Sequence, residues 1–314
     1  MRVRFRGLVE REVLLLRGPS GWGEFGPFVE YDDAESARWL GSAVESAWGS
    51  WPDPLRDSVP VNATVPAVPA TEVATVLARF PGATTAKVKV AQAGQSLAGD
   101  VERVAAVVDA LGGSTARVRV DANGAWTVDE ALAALPRLVS AAGPATFEYA
   151  EQPCRTIEEM AALRLALGRQ GHRIRLAADE SVRKADDPLL VAVAGAADVV
   201  LVKAAPLGGV HVALAVAQQL GQEHGLPVVV SSALDTSVGI GAGLALAAAL
   251  PDLPYACGLA TAGLFEADVT ADPLVAVAGA IGVRRGVPDA QRLAGLAAPA
   301  DRQAWWRDRL GRVH

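Results

Sequence analysis

TTAKVKVA (84–91), SLAGDVERVAAVVDALG (96–112) and ARVRVDANGAW (116–126) read as a strand, a helix and a second strand within 43 consecutive residues. The outer runs are rich in β-branched residues and alternate, while the middle run repeats its apolar residues at helical spacing. Strand, helical crossover and strand make the unit of a parallel sheet, because parallel neighbours cannot be joined by a tight turn. The rhythm continues in both directions. Upstream stand VPVNATVPAV (59–68) and helical TEVATVLARF (71–80). Downstream, ATFEYAEQP (145–153), RIRLAADES (173–181), DVVLVKAAP (198–206), LPVVVSSAL (226–234) and PYACGLA (254–260) are strand candidates. Helical runs separate them, among them VDEALAALPRLVSAAG (128–143), IEEMAALRLALGRQG (157–171), PLLVAVAGA (188–196), GGVHVALAVAQQLGQEHG (208–225) and a Gly/Ala-rich run ending near Leu250. Eight candidates over roughly 200 residues favour a closed (β/α)-barrel over an open doubly wound sheet.

Residues 1–59 differ. Alternating VRFRGLV (3–9) and REVLLLRG (11–18) precede the turn GPSGWGEFGPF (18–28) and a helix near Ala34 to Ala47. The expected organisation is α/β: a modified TIM barrel of (β/α)7β type at 60–269 behind a small N-terminal α+β capping domain at 1–59. The segment 270–314, with a helix near Pro299 to Leu310, is expected to pack back on that domain.

The chain has 314 residues, 51% hydrophobic and 20% charged, which is globular and not disordered. A net charge of −6 leaves no electrostatic basis for a nucleic-acid or anionic-membrane surface. The N-terminal stretch is charged, and the apolar run Gly239–Leu250 falls short of the ~20 residues that span a bilayer. Two cysteines, Cys154 and Cys257, exclude a disulfide framework and suit a reducing compartment. These features predict a cytoplasmic protein with a small-molecule partner.

Lysine usage singles out the chemistry. Of 29 basic residues only four are Lys: Lys87, Lys89, Lys184 and Lys203. Arg is effectively always protonated, whereas Lys loses its proton once its pKa is lowered. Three of the four lie in strand-like runs, although strands hold only about a quarter of residues. Lys87 and Lys89, two apart, share one strand face. Asp121 and Asn123 end the next strand; Glu151 ends the one after, with Glu148 three residues earlier; Asp179 and Glu180, Lys203, then Ser231 and Ser232 end those that follow. Barrel enzymes build their sites at these C-terminal strand ends.

Three carboxylates with no His or Cys beside them are hard oxygen ligands that suit Mg²⁺ better than Zn²⁺. A lysine pair beside them cannot comfortably ionise in full, so one ammonium is depressed and can act as a base. A metal ion supplies the charge that stabilises an enolate. The implied chemistry is proton abstraction next to a carboxylate, followed by elimination or reprotonation. As a structural alternative, any one of these acids could simply cap a helix.

The ordered set KVK (Lys87, Lys89), VDANGAW (Asp121), EQP (Glu151), ADES (Asp179) and VKAAPLGG (Lys203) resembles the enolase superfamily, muconate-lactonizing-enzyme subgroup, where a Lys base beside Mg²⁺ is a known pattern. RFRG, REVLLLRGPSGWGEFGPF, SSALDTSVG and CGLATAGLFEADV point within it to the lyases that dehydrate 2-succinyl-6-hydroxy-2,4-cyclohexadiene-1-carboxylate in menaquinone biosynthesis. The resemblance implies Asp121, Glu151 and Asp179 as Mg²⁺ ligands, with Mn²⁺ as a substitute. It implies Lys89 as the base that takes the α-proton and returns it to the leaving hydroxyl in a syn elimination. Lys203 would face the enediolate as a cation, and Lys87 would contact the substrate carboxylate and lower the pKa of Lys89. Ser231, Ser232 and the turn Gly208–Gly209 would line the succinyl end, and Trp22 and Phe25 are the front-domain candidates for substrate contact.

Two other functions fit the same pattern: an N-acylamino acid racemase or dipeptide epimerase with Lys89 and Lys203 as opposed bases, and a non-catalytic barrel that binds an acidic metabolite. Binding alone would tolerate Arg, which argues against the second. Gly239, Gly241 and Gly243 do not complete a dinucleotide motif, since Leu244 stands where the last Gly belongs. His172, His211, His224 and His314 read as solvated, Cys154 as a buried small residue and Trp305–Trp306 as helix packing. Asn123 either supports the site as a donor or merely ends its strand.

Overall fold

The structure, a computed structural model, describes residues 1–2, 7–113, 115–184 and 187–314. Most of VRFRGLV and of RFRG falls on residues 3–6, outside the described residues. The front opens with an antiparallel hairpin, β1 (Leu14–Gly18) and β2 (Gly21–Phe25), with Arg17 opposite Trp22. It lies directly on helix α1 (Asp33–Trp48). A Cβ on Gly23 would come 1.9 Å from the Ala43 carbonyl oxygen, so only glycine permits this approach. The Asp32 carboxylate starts α1 by accepting from Glu35 N at 2.8 Å.

After β3 (Ser58–Pro60) the repeating part begins: β4 (Ala63–Val65), α2 (Val73–Leu77), β5 (Thr85–Lys89), α3 (Leu97–Leu111), β6 (Arg117–Asp121), α4 (Val128–Ala142), β7 (Phe147–Glu151) and α5 (Ile157–Arg169). It continues with β8 (Leu176–Ala178), α6 (Glu180–Arg183), α7 (Leu190–Val193), β9 (Val199–Val202), α8 (Ala204–Leu207), α9 (Val210–His224), β10 (Val228–Val230) and α10 (Ser237–Ala249). Last come β11 (Ala280–Gly282), paired with β3, then α11 (Ala290–Gly295) and α12 (Ala300–Val313).

Strands β4 to β10 form one parallel sheet in chain order, curled into a barrel. PYACGLA, the eighth expected strand, forms no strand among the described residues. It closes the sheet through single bridges, Val61 to Cys257 and Ser231 to Gly258. Asn62 N donates to Cys257 O at 3.0 Å and Gly258 N to Val230 O at 2.8 Å, so one short segment satisfies both sheet edges.

Strand alternation sorts the side chains. Tyr149, Ala177, Val199, Leu201 and Val229 point inward and form a small interior cluster with Tyr255. The residues between them, such as Val88, Val120, Ala150, Val200 and Val230, belong to the larger core under the helices. Leu135 and Leu138 of α4 and Met160 and Leu163 of α5 are fully buried in that core. Each such side chain contributes about 1.5–3 kcal/mol of apolar burial. Buried Arg119 spans the barrel interior below the strand ends. Its Nε donates to Glu148 at 2.5 Å, its Nη1 to Asn62 at 3.2 Å and to Ala256 O at 2.7 Å, and it stacks on Tyr149. Glu148 is therefore committed to the barrel floor.

Candidate active site

Strand register brings the charges to one level. Lys89 pairs with Asp121 across β5 and β6, and Asp121 with Glu151 across β6 and β7. Asp179, Lys203 and Ser231 each stand one residue beyond the end of β8, β9 and β10. Lys87 Nζ donates to Glu151 at 2.6 Å and lies 3.0 Å from Asp121. Lys89 Nζ donates to Asp121 at 2.5 Å and to Asn123 Oδ1 at 2.7 Å. Lys203 Nζ donates to Asp179 at 2.6 Å. Asn123, whose role the sequence left open, passes a hydrogen bond on from its Nδ2 to Glu180 at 3.2 Å, and Arg183 holds the same Glu180 oxygen at 2.7 Å. Asn123 thus supports the site.

Burial and charge set the protonation. Burial lowers the Lys89 ammonium, and adjacent Lys87 lowers it further against the pull of Asp121. Burial also works on Lys87, but Glu151 and Asp121 override it and raise its pKa. Lys203 is lowered by burial despite its contact with Asp179. Burial would raise Asp121, yet Lys89 and Lys87 hold it well below the carboxylate range. Lys203 and Arg183 similarly outweigh burial at Asp179 and lower it. Glu151, buried beside Asp121, is pushed up to about 8. The lysine pair is therefore split, one member held charged and the other depressed.

Among the described residues the three carboxylates are not gathered into a ready-made three-ligand group, because ammonium groups stand between them. The donor set nonetheless fits a hard divalent cation. Glu151 Oε2 and Asp179 Oδ1 are buried carboxylate oxygens without a hydrogen-bond donor. Asp179 Oδ1 has only the Arg183 guanidinium at 3.5 Å, and carboxylate oxygens so thinly partnered at this depth suit a hard cation.

The cavity over the cluster is about 30 Å³, lined by both lysines of β5, Asp121, Asn123, Asp179, Lys203, Ser231 and Ser232. Ser232 is partly engaged, with its hydroxyl donating to Gly258 O at 2.9 Å and lying 2.8 Å from Thr261 Oγ1. Glu151 sits just beneath, fully buried. The sequence reading missed Phe28, Thr64, Leu234 and Thr261, which also line this cavity. For Thr64 the alternation of VNATV was an available signal; Phe28 and Leu234 come from loops and Thr261 from the short 3-10 helix Ala260–Leu264.

The structure does not bring the remaining predicted residues to the cavity. Gly208–Gly209 packs against α1, where Glu45 accepts from His211 N at 3.1 Å and from Val210 N, because that carboxylate fills the start of α9. His211 is paired through its ring with Glu45 rather than simply solvated. Phe25 is buried edge-to-face on Trp306 of α12, as hairpin alternation turns it toward that helix. Trp22 lines a separate cavity of about 720 Å³ between the front strands and the α11–α12 region. That larger cavity holds none of the strand-end groups. Cys154 is buried, its thiol pushed up to about 12 by burial, which suits a packing residue.

A barrel with opposed lysines and carboxylates on successive strand ends, behind a small α+β front, defines a class. Residues 70–298 match the family described as enolase C-terminal domain-like and residues 1–47 the family described as enolase N-terminal domain-like. The chain belongs to the enolase superfamily.

Its full-length relatives are narrower in kind. It is 56% identical over 314 residues to an o-succinylbenzoate synthase of Mycolicibacterium smegmatis, covering 100% of this chain and 92% of that one. It is 55% identical over 310 residues to an o-succinylbenzoate synthase of Mycobacterium marinum, covering 99% and 90%. In fold it is similar to the muconate lactonizing enzyme of Pseudomonas putida, with TM-score 0.71 and 21% identity over 91% of this chain and 94% of that one. The 2-chloromuconate cycloisomerase of Rhodococcus opacus gives TM-score 0.72 and 22% identity over 92% of each chain.

Proposed function

We propose that the chain is an o-succinylbenzoate synthase, a lyase that dehydrates 2-succinyl-6-hydroxy-2,4-cyclohexadiene-1-carboxylate in menaquinone biosynthesis. The observation that carries this reading is 55–56% identity, along essentially the whole chain, to relatives of that name. The strand-end charges alone are shared by a superfamily of several reactions. In the dehydration, neutral Lys89 takes the proton α to the substrate carboxylate. The resulting Lys89 ammonium returns that proton to the hydroxyl on the same face as the C–O bond breaks, so that water leaves and the ring becomes aromatic. Lys87, held charged by Glu151 and Asp121, keeps its neighbour's pKa down and meets the substrate carboxylate. Lys203, from the opposite wall, places a cation near the negative charge that develops. Ser231 faces the succinyl end.

Asp121, Glu151 and Asp179 would hold Mg²⁺, or Mn²⁺ in its place, and the two undonated oxygens support that fit. When bound, the ion supplies positive charge where the substrate carboxylate becomes more basic. A cavity of about 30 Å³ is well below the roughly 300 Å³ or more of a small-molecule site, so substrate binding should separate the lysine–carboxylate contacts or the Phe28 and Leu234 walls. We divide the chain into a barrel at 60–269 and a capping unit at 1–59 that 270–314 completes, and place it in the cytoplasm. The contacts of α12 with the front support that division. Among the described residues no helix is long and apolar enough to cross a membrane.

The test is a spectrophotometric dehydration assay with Mg²⁺ on the untreated enzyme, the EDTA-treated enzyme and Lys89→Ala. Turnover should need the metal and fall by at least ~10²–10⁴-fold in the variant, the usual share of a general base. If dehydration is absent and N-succinylamino acids exchange their α-proton for solvent deuterium, the racemase assignment replaces this one.

A further inference from the structure

The front hairpin grips the barrel through a carboxylate. Glu24, the acid of GWGE, is buried, and it accepts from Thr236 Oγ1 at 2.5 Å, Thr236 N at 3.1 Å and Gly239 N at 3.1 Å. Thr236 is the N-cap of α10, so a front-domain side chain fills the first turn of a barrel helix, where backbone donors lack partners. Gly239 admits it: a Cβ there would lie 3.1 Å from Glu24 Cδ and 2.7 Å from Asp235 Cβ. The first glycine of GIGAG, unused by the chemistry, is thereby explained.

A second grip falls on Leu234, two residues upstream of Thr236. Arg11 donates from Nε to Leu234 O at 3.2 Å, binds Glu12 O at 3.1 Å and Gly26 O, and stacks 4.6 Å from the Phe28 ring centroid. Leu234 has φ +61°, a left-handed conformation that a leucine keeps only when its surroundings impose it. Phe28 and Leu234 are facing contributions to the active-site wall, one from each part of the molecule, and one guanidinium joins them.

We propose that Glu24 and Arg11 are positioning residues that hold Ala233–Thr236, and with it the wall against which the substrate's far end rests. The identity of that substrate rests on the dehydratase reading above; the grip itself does not. Lys89, Lys203 and the three carboxylates stand on strand ends fixed by the sheet, so loosening the loop should weaken substrate binding more than proton transfer.

Backbone hydrogen exchange and steady-state kinetics on wild type, Glu24→Ala, Glu24→Gln and Thr236→Val test this. In Glu24→Ala, amides within 233–240 should exchange at least about tenfold faster while those of α4 and α5 stay protected. KM should rise about tenfold with kcat within about twofold. Gln accepts from the same donors and should restore both readouts, and Thr236→Val, which removes one donor, should move them in the same direction by less. Unchanged exchange at 233–240, or kcat falling with KM unchanged, as a mere loss of folded molecules would give, overturns the proposal. Should Glu24→Ala not fold, Thr236→Val decides by the same criteria. If wild type does not dehydrate the cyclohexadiene carboxylate, the dehydratase reading falls, while the exchange pattern still decides the grip.

Discussion

Lys89 and Lys203 carry the same side chain to opposite walls, yet the proposed dehydration asks a proton transfer only of the first. Lys203→Arg keeps a cation against Asp179, so part of the dehydration should survive, about a tenth or more of wild-type kcat. The same variant should lose any α-proton exchange of N-succinylamino acids that needs a base on the Lys203 face, which deuterium incorporation by mass spectrometry would reveal. Glu24 offers a prediction of another kind. Burial, and then Asp235, push its carboxyl up to about 8 from 4.5. The folded chain binds that proton more tightly than the unfolded one, so its contribution is complete below about pH 4.5 and is lost as pH rises toward 8. Calorimetric Tm should therefore fall more between about pH 5 and 8 in wild type than in Glu24→Gln, which has nothing to ionise. The lysines were legible because so few exist in an arginine-rich chain. Phe28 was not, since hairpin alternation ends at Phe25 and nothing in GPF tells which way the next ring turns.

At the level of elements, the strand–helix rhythm was readable because two periodicities, two inside the sheet and 3.6 on the helices, leave separate marks. It misled at PYACGLA. A segment that closes a barrel by single bridges has the composition of a strand without a strand's ladder. PLLVAVAGA likewise yields only the single turn of α7, although its apolar run reads as a longer helix. The helices that flank the site are anchored by burial rather than by contact with it. Leu163→Ala on α5 removes a fully buried side chain and should cost about 2–5 kcal/mol in urea unfolding. Because α5 supplies no group to the strand ends, kcat per folded molecule should stay at the wild-type level. A kcat loss larger than the loss of folded protein would mean that α5 shapes the site.

The whole molecule is tied together across its length by individual side chains that no local pattern singles out. Arg309 of α12, buried, donates to the carbonyls of Phe28 at 2.9 Å and Tyr31 at 2.6 Å and to Ser36 Oγ at 2.8 Å. Arg302 and Trp306 both bind Glu12. Arg309→Met removes three hydrogen bonds to buried acceptors and should cost about 1–3 kcal/mol by thermal denaturation. It should also raise KM, because Phe28 belongs to the cavity wall.

The same tie constrains how the protein is made. The front hairpin and α1 leave the ribosome some 250 residues before the helix that fixes Phe28. At ~5–20 residues per second that is a wait of roughly ten to fifty seconds, during which the sheet and its crossover helices can assemble alone. A nascent chain stalled short of residue 300 should therefore hold a folded barrel with an unfinished entrance, and catalytic competence should wait for α12.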